Sequence, residues 1–155
     1  MKYLAVISGI LGLDLGIKSY IEKNINEGEA REKPGCLLII KKHHNKGAFL
    51  NFGEKKRKIV MLLSVLMTAM LTVFFILTLG TAGKGALKWG LTLLLGGAYS
   101  NTYDRLFRKY VVDYVSFNVP CGLRKVIFNI GDFAIMAGSL FVLIASFGEE
   151  IQGFW

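Results

Sequence analysis

Acidic residues and cysteines are scarce in this chain. Its 155 residues include 11 Asp and Glu against 19 Lys and Arg, and only two Cys. Without a CxxC pair, a dense disulfide framework is excluded, and Cys36 and Cys121 are predicted to be free thiols, the alternative being one disulfide between them. The basic residues have no aromatic or helical readers among them, so no nucleic-acid partner is predicted. Repeats, low-complexity tracts and interdomain linkers are also lacking, which predicts one domain over residues 1–155.

The scarce acids divide by type. The four aspartates, Asp14, Asp104, Asp113 and Asp132, each lie inside or beside an apolar run, whereas the glutamates lie in polar segments where a carboxylate is readily solvated. A charged aspartate at the middle of a bilayer costs about 2.5–3.5 kcal/mol on insertion scales. Packing does not explain these four positions, and a function is therefore expected for them.

Apolar residues dominate the rest: 53% of the chain is hydrophobic, and the mean hydropathy is +0.47. This composition is too apolar for an ordinary soluble domain and indicates a membrane protein. Residues 59–80 carry no charge over more than the roughly 20 residues that a helix needs to cross a bilayer. Three weaker runs raise the predicted number of transmembrane helices to four, and they cover residues 3–21, 86–104 and 126–147. The two substantial loops are then 22–58 and 105–125.

The first apolar run has two interpretations. Lys2 supplies the basic flank of a signal peptide, but Asp14 and Lys18 interrupt the apolar core and no small-x-small cleavage site follows, so a retained helix is preferred. Asp14 and Lys18 stand four residues apart, with the acid first, and are predicted to neutralise each other on one helix face. Gly12 and Gly16 flank Asp14 as GxxxG, which favours the close approach of a neighbouring helix.

The loops contain strand-like segments. Residues 36–42 form a short β-type run, the turn signal Asn45–Gly47 follows, and apolar strand formers surround Asp113. A small β-unit at the membrane surface is therefore predicted beside the helices, within an all-α membrane fold. His43 and His44 point to opposite faces of a strand and have no third ligand at a useful spacing, so neither a metal nor a cofactor is predicted.

Lys and Arg are distributed unevenly over the two sides of the predicted bundle. An even number of helices places both termini on one side and both loops on the other. The loops hold ten and five Lys and Arg, whereas the opposite side holds three, at Lys2, Lys84 and Lys88. The positive-inside rule by itself puts both loops in the cytoplasm. A basic collar on anionic lipid headgroups accounts for the net charge of +8.

An NxxD pattern occurs twice, once at Asn101 and Asp104 and once at Asn129 and Asp132. Residues three apart share a helix face, so each Asn is expected to orient the carboxyl group one turn away or to bind a peptide beside it. Arg105 adjoins Asp104 and is expected to neutralise it or an acidic neighbour.

Asp113 and Asp132 have no obvious cation, and they meet if the fourth helix returns beside the third. Two adjacent carboxyl groups do not both ionise easily, so one keeps its proton and serves as an acid while the other activates water as a base. This pattern predicts aspartic protease chemistry on a peptide carbonyl. The alternatives are a four-span proton-coupled transporter, whose acids relay protons across several depths, and a non-catalytic membrane scaffold. Both aspartates lie near the loop side, which favours the protease.

Five short motifs resemble, in order and spacing, those of the lipoprotein signal peptidases (signal peptidase II). The matching segments resemble DQxxK, NxGAF, GGAxGNxxDR, VVDF and FNxAD, and they stand at residues 14–18, 45–49, 96–105, 111–114 and 128–132. The sequence departs from these patterns beside the predicted dyad and not at it, with Leu15 for Gln, Ser100 for Gly, Tyr114 for Phe and Gly131 for Ala.

This resemblance implies a four-span bacterial aspartic protease that removes the signal peptide of prolipoproteins just before a diacylglyceryl-modified cysteine. It implies that Asp113 and Asp132 are the catalytic pair. The supporting and substrate-binding residues are then Asp14, Lys18, Asn45, Gly47, Asn101, Asp104, Arg105 and Asn129. It also implies an inner-membrane protein with cytoplasmic termini and an active site near the extracytoplasmic leaflet, against the Lys and Arg count. The expected partners are a lipid-modified prolipoprotein and membrane lipids, with the protein acting as a monomer.

Overall fold

Four α-helices and a three-stranded sheet make up the part of the chain that the computed structural model describes, residues 1–32, 35–47, 56–119 and 123–152. The helices are α1 Lys2–Asn24, α2 Arg57–Leu79, α3 Gly85–Tyr103 and α4 Ile130–Gln152. The strands are β1 Ala30–Glu32, β2 Leu38–Asn45 and β3 Val111–Phe117. This architecture confirms the predicted helical fold with a small β-unit.

The predicted apolar runs correspond closely to the helices. Three of the helices are long and apolar enough to cross a membrane: α1, α2 and the Ile130–Phe147 part of α4. Large side chains such as Leu66, Met70 and Leu77 on α2 are exposed, as expected for a surface that faces lipid. The fourth helix begins at Ile130 and not at residue 126, because the residues just before it pair with β3 and Asn129 caps the helix.

Helix α3 occupies the centre of the bundle and packs against α1, α2 and α4. Glycines allow the closest of these approaches: a Cβ atom at Gly97 would overlap the carbonyl of Gly131, and one at Gly90 would lie 2.8 Å from the side chain of Val142. The prediction that Gly12 and Gly16 provide a close helix contact was wrong, since a Cβ at either position would meet nothing within 4 Å. The close contact belongs to α3 and α4, and it brings the start of α4 to the end of α3.

The strands form an antiparallel sheet in the order β1-β2-β3. In the register between β2 and β3, His43 faces Asp113 and Asn45 faces Val111. Val112 and Tyr114 of β3 pack with Ile21 and other apolar residues at the end of α1, so the sheet is fixed to one end of the helix bundle. Cys36 is exposed and free, whereas Cys121 lies outside the described residues.

Candidate active site

Two aspartates from different elements line one cavity of about 550 Å³. Asp113 lies in the middle of β3, and Asp132 lies in the first turn of α4. The side chains of Asn45, Asn101 and Arg105 line the same cavity. The fold thus brings together the two carboxyl groups that the sequence predicted to meet.

Asn129 connects the two aspartates. Its Nδ2 donates a hydrogen bond to Oδ1 of Asp113 at 2.7 Å, and its Oδ1 accepts one from the backbone N–H of Asp132 at 2.8 Å. The backbone N–H of Asn129 in turn donates to Oδ2 of Asp132 at 3.0 Å. This reciprocal pair is a capping box at the start of α4. The second NxxD pattern is therefore the capping motif that positions one aspartate while its asparagine holds the other.

A second amide reaches each carboxyl group. Asn45 donates through Nδ2 to Oδ2 of Asp113 at 3.1 Å, and Asn101 donates to Oδ1 of Asp132 at 2.8 Å. Every carboxyl oxygen of the pair thus accepts at least one hydrogen bond. For the first NxxD pattern, the prediction that Asn101 orients Asp104 is wrong, because its amide donates to Asp132 of α4. The alternative, that Asn101 binds a peptide, stays a prediction.

The environment of Asp113 favours its neutral form. The residue is only 3% exposed, and burial together with the neighbouring charge of Asp132 raises the pKa of Asp113 to about 7. The amide groups of Asn45 and Asn129 act in the opposite direction, since they donate to the carboxylate, but they do not offset the burial. A protonated carboxyl group near neutral pH is therefore available at this position.

A fully buried lysine lies behind the cavity. Lys18 contacts Asp14 at 2.8 Å, as the spacing predicted, and also Asp104 at 3.3 Å. Its ammonium donates to Oδ1 of Asn101 at 2.9 Å and to Ser100 at 3.1 Å. A buried charge with this many partners is stable only while they are all in place, so the cluster holds α1 and α3 in a fixed relation.

Asp104 has different partners from those predicted. Its carboxylate pairs with Arg108 at 2.9 Å and with Lys18, and it accepts a hydrogen bond from the backbone N–H of Val112 at 3.1 Å. Within the described residues Arg105 forms no ion pair with Asp104, because adjacent residues of a helix do not face each other. The other alternative, an acidic neighbour, fits the electrostatic interaction of Arg105 with Asp113 and Asp132. Asp104 therefore anchors the start of β3, which carries Asp113.

Arg105 contacts the turn after β2. Its guanidinium donates to the carbonyl of Gly47 at 3.1 Å and to that of Asn101 at 3.3 Å. The backbone N–H of Gly47 donates to Oδ1 of Asn45 at 3.1 Å, which closes a tight turn of the kind Asn favours. Arg105 thus supports the residue that binds Asp113. The remaining part of the predicted motif, residues 48 and 49, lies outside the described residues.

Two residues of this network were missed from the sequence. The hydroxyl of Ser100 donates to Oδ2 of Asp14 at 2.6 Å, and that of Tyr114 donates to Oδ1 at 2.8 Å. The Tyr114 oxygen also accepts a hydrogen bond from the backbone N–H of Ile130 at 3.1 Å. Both residues stand where the sequence departs from the motifs it resembles, and this departure was the available signal. Ser100 connects Asp14 to α3, and Tyr114 connects it to the start of α4.

His44 contacts side chains of the protein on both ring nitrogens and on its ring face. His44 lies 2.7 Å from Glu22 and 2.8 Å from Glu27, and its ring stacks on Tyr110. Within the described ranges, no group of three or more His, Cys, Asp or Glu side chains is arranged to hold a metal ion.

Comparisons with known proteins place the chain among its relatives. The family model described as Signal peptidase (SPase) II matches residues 6–148. The lipoprotein signal peptidase of Clostridium tetani (strain Massachusetts / E88) is 30% identical over 156 residues, which cover 97% of this chain and 94% of that protein.

Two solved structures of bacterial membrane enzymes, determined by the in meso method, share the fold. The first, at 2.3 Å resolution, has a TM-score of 0.80 and 22% identity, covering 96% of this chain and 89% of its own. The second, at 1.9 Å, has a TM-score of 0.78 and 24% identity, covering 93% and 91%. With the family match over nearly the whole sequence, these findings show that the chain belongs to the signal peptidase II family and is a multi-pass membrane aspartic protease that cleaves the signal peptides of lipoproteins.

Proposed function

We propose that Asp113 and Asp132 are the catalytic dyad of this protease. The observation that carries the proposal is that both carboxyl groups line one cavity and are joined through Asn129. The transporter and scaffold alternatives gain nothing from the family match, and a proton relay would require acids strung across the bilayer. Asp14 and Asp104, the other intramembrane candidates, are instead fully buried in ion pairs with Lys18.

The environments of the two aspartates suggest separate roles. Asp132 lies in the first turn of α4, where the helix dipole and the backbone N–H of Asn129 favour a negative charge. Asp113 keeps its proton below about pH 7, because burial and the charge of Asp132 raise its pKa to about 7. We therefore assign Asp132 as the base that activates water and Asp113 as the acid that protonates the peptide carbonyl oxygen.

The reaction then has two proton-transfer stages. A water molecule gives a proton to Asp132, its oxygen bonds to the carbonyl carbon, and the proton of Asp113 moves to the carbonyl oxygen, which forms a gem-diol. In the second stage Asp132 gives its proton to the peptide nitrogen, the C–N bond breaks, and Asp113 regains a proton from the gem-diol. The products are a carboxylic acid and a free amine, and neither a covalent intermediate nor a metal is required.

The proposed substrate is a prolipoprotein that is cleaved just before its diacylglyceryl-modified cysteine. The cavity continues from the polar dyad to apolar side chains of α2 and α4, including Met67, Leu71 and Ile135. Helix α3 packs against both α2 and α4, whereas α2 and α4 have no extensive contact with each other in the described residues. Acyl chains can therefore enter sideways from the bilayer between these two helices.

The same proposal specifies the arrangement in the membrane. The whole chain, 1–155, would form one domain with four spans, with α3 crossing the membrane in addition to α1, α2 and α4. It would act as a monomer surrounded by membrane lipids in the bacterial inner membrane. The sheet and the start of α4 would lie at the extracytoplasmic leaflet, where the cleavage site of an exported lipoprotein is located. The first span and its short basic flank then determine the orientation, against the count of Lys and Arg in the loops.

The test is cleavage of a defined substrate by the purified protein. A diacylglyceryl-modified prolipoprotein and its unlipidated form are incubated with the wild type and with Asp113→Asn, and the products are read by mass spectrometry. Only the lipidated form should lose mass, at the bond before the modified cysteine, and only with the wild type. Equal cleavage of both forms would refute the lipid requirement, and cleavage by the variant would refute the dyad.

A further inference from the structure

A β-bulge in β2 decides which face of the sheet Asn45 occupies. Ile40 pairs with Val115. Three positions later His43 pairs with Asp113, which is only two positions from Val115, so β2 has one residue more than β3 in this interval. Residues directly opposite each other point to the same face of a sheet. The extra residue therefore places Asn45 on the face of Asp113, whose Oδ2 accepts its hydrogen bond at 3.1 Å, whereas a regular ladder would turn Asn45 to the other face.

The bulged register needs contacts outside the ladder to hold it. The pairing of β2 with β3 is irregular between Ile40 and His43, so the first half of β2 does not by itself fix the second half. A slip of one residue would turn every side chain beyond the bulge to the opposite face. Side chains that hold the second half of β2 therefore also decide whether Asn45 reaches Asp113.

Lys42 and His44 provide such contacts on the face opposite to Asn45. Lys42 is buried, and its ammonium lies 2.7 Å from Oε2 of Glu22 and donates to the backbone carbonyl of Glu22 at 3.1 Å. His44 Nε2 lies 2.7 Å from Oε1 of the same carboxylate. Both side chains thus join the second half of β2 to the end of α1.

His44 has a carboxylate at each ring nitrogen. Its Nδ1 lies 2.8 Å from Oε2 of Glu27, in addition to the contact of Nε2 with Glu22. A neutral imidazole carries one N–H and could donate to only one of the two carboxylates, whereas an imidazolium donates to both. The ring also stacks on Tyr110, with the ring centroids 4.0 Å apart, and an aromatic face favours a cation. These contacts therefore fit the protonated form of His44.

Titratable and charged groups approach His44 from each element that contacts it. They are Glu22 at the end of α1, Glu27 in the segment after α1, Lys42 on β2 and Tyr110 before β3, with Arg108 and Asp104 near Tyr110. Burial and the charge of Glu22 raise the pKa of Tyr110, so its phenol stays neutral. The two glutamates thus face two cations, Lys42 and the imidazolium. Removal of the proton from His44 would leave one negative charge without its partner.

We propose that His44, as an imidazolium, is a positioning residue that holds the bulged register of β2 and thereby keeps Asn45 on Asp113. The effect on the register is independent of the proposed dyad, whereas the effect on cleavage rests on it. When a neutral side chain replaces His44, the second half of β2 loosens. Asn45 then stabilises the ionised form of Asp113 less, and the pKa of Asp113 rises further.

The experiment compares three variants. His44→Gln removes the positive charge, whereas His44→Arg keeps a planar cation that does not titrate. The matched control is Arg31→Gln, because Arg31 also joins a strand to the end of α1, through the carbonyl of Asn24 at 2.8 Å, but lies on β1. Hydrogen exchange of the β2 amides reports the register. The pH dependence of kcat/KM for a lipidated prolipoprotein reports the effect on the dyad.

In His44→Gln, hydrogen exchange should become about tenfold faster at residues 43–45 and stay unchanged at residues 38–40. Its kcat/KM should be about fivefold lower and should begin to fall at a higher pH than that of the wild type. Combined with Asn45→Ala, His44→Gln should cause no further loss, because His44 acts through Asn45. His44→Arg should restore both the rate and the slow exchange, and Arg31→Gln should match the wild type.

Unchanged exchange at residues 43–45 in His44→Gln would overturn the register role. Additive losses from His44→Gln and Asn45→Ala, with an unchanged pH dependence, would overturn the route through Asn45. Failure of His44→Arg to restore the rate would overturn the requirement for a cation. A wild type that cleaves nothing, but whose exchange differs from that of His44→Gln as expected, would refute the dyad and support the register role.

Discussion

The ammonium group of Lys18 lies 2.9 Å from Oδ1 of Asn101, although the two residues are 83 positions apart in the sequence. An amide has one acceptor oxygen and one donor nitrogen, so this contact turns Nδ2 of Asn101 towards Asp132, to which it donates at 2.8 Å. Lys18 therefore orients the dyad without reaching the cavity. Its own charge is matched by Asp14 and Asp104, both fully buried.

The dyad assignment predicts a pattern of activity losses. Asp113→Asn and Asp132→Asn should each abolish cleavage, because each removes one half of the acid and base pair, and the double variant should be scarcely worse than either alone. Asp104→Asn should retain measurable turnover, since its role is to anchor β3 and to pair with Lys18 and Arg108. Initial rates on a lipidated prolipoprotein check this, and near-normal turnover by folded Asp113→Asn would contradict it.

The raised pKa of Asp113 predicts a pH dependence. Below about 7 its carboxyl group keeps the proton that the mechanism needs, so kcat/KM should fall as the pH rises above that value. The amide of Asn45 stabilises the ionised form, and its removal should raise the pKa further. Asn45→Ala should therefore cleave more slowly, and its kcat/KM should begin to fall at a higher pH than that of the wild type. Asn118→Ala, at an exposed position just after β3, is the control and should leave the pH dependence of kcat/KM unchanged.

Tyr114 is predicted to be a positioning residue. Tyr114→Phe removes a hydrogen bond to Asp14 and one from the backbone of Ile130, at the start of the helix that carries Asp132. A small displacement of that helix should lower kcat by about tenfold with little change in KM. Tyr99→Phe is the matched control, because it removes a hydroxyl bonded to Thr72, away from the dyad. Equal effects of the two variants on kcat would show that the role is merely structural.

The glycine contact between α3 and α4 predicts a large difference between two similar substitutions. Gly97→Ala places a methyl group against the carbonyl of Gly131, so the helices must separate, at a cost of about 1–3 kcal/mol in unfolding free energy. Gly12→Ala meets nothing within 4 Å on the exposed face of α1 and should be neutral or slightly stabilising. Thermal unfolding in detergent measures both, and similar midpoints would argue against close packing of α3 on α4.

The proposed topology predicts labelling of Cys36 from outside the cell. Its thiol is free and exposed, and it lies just before β2. A membrane-impermeant maleimide applied to intact spheroplasts should modify Cys36 in a Cys121→Ser background. Modification only after lysis would place the sheet in the cytoplasm, as the Lys and Arg count suggests, and would reverse the proposed orientation.

The sequence by itself determined the elements and the candidates for chemistry. Helices follow from apolar length, as in α2, because each backbone group is satisfied within the segment. The pairing of Asp14 with Lys18 was also predictable, since four residues on a helix bring two side chains together without help from the fold. The aspartates were identifiable because a carboxylate beside apolar residues has a cost that packing does not explain.

The tertiary structure decided which polar groups meet. The contacts of Asp104 with Lys18 and Val112, the reach of Asn101 to Asp132 and the hydroxyls on Asp14 all cross between elements. Their geometry depends on how far the helices and β3 stand apart. That spacing is set by glycines such as Gly97, whose role is visible only once the opposing carbonyl is known. The neighbours Asp104 and Arg105 diverge because successive side chains on a helix point in different directions. Adjacency along the chain therefore did not predict the ion pairs of Asp104. One joins it to Arg108, one helical turn further on, and the other joins it to Lys18 through the packing of α1 against α3.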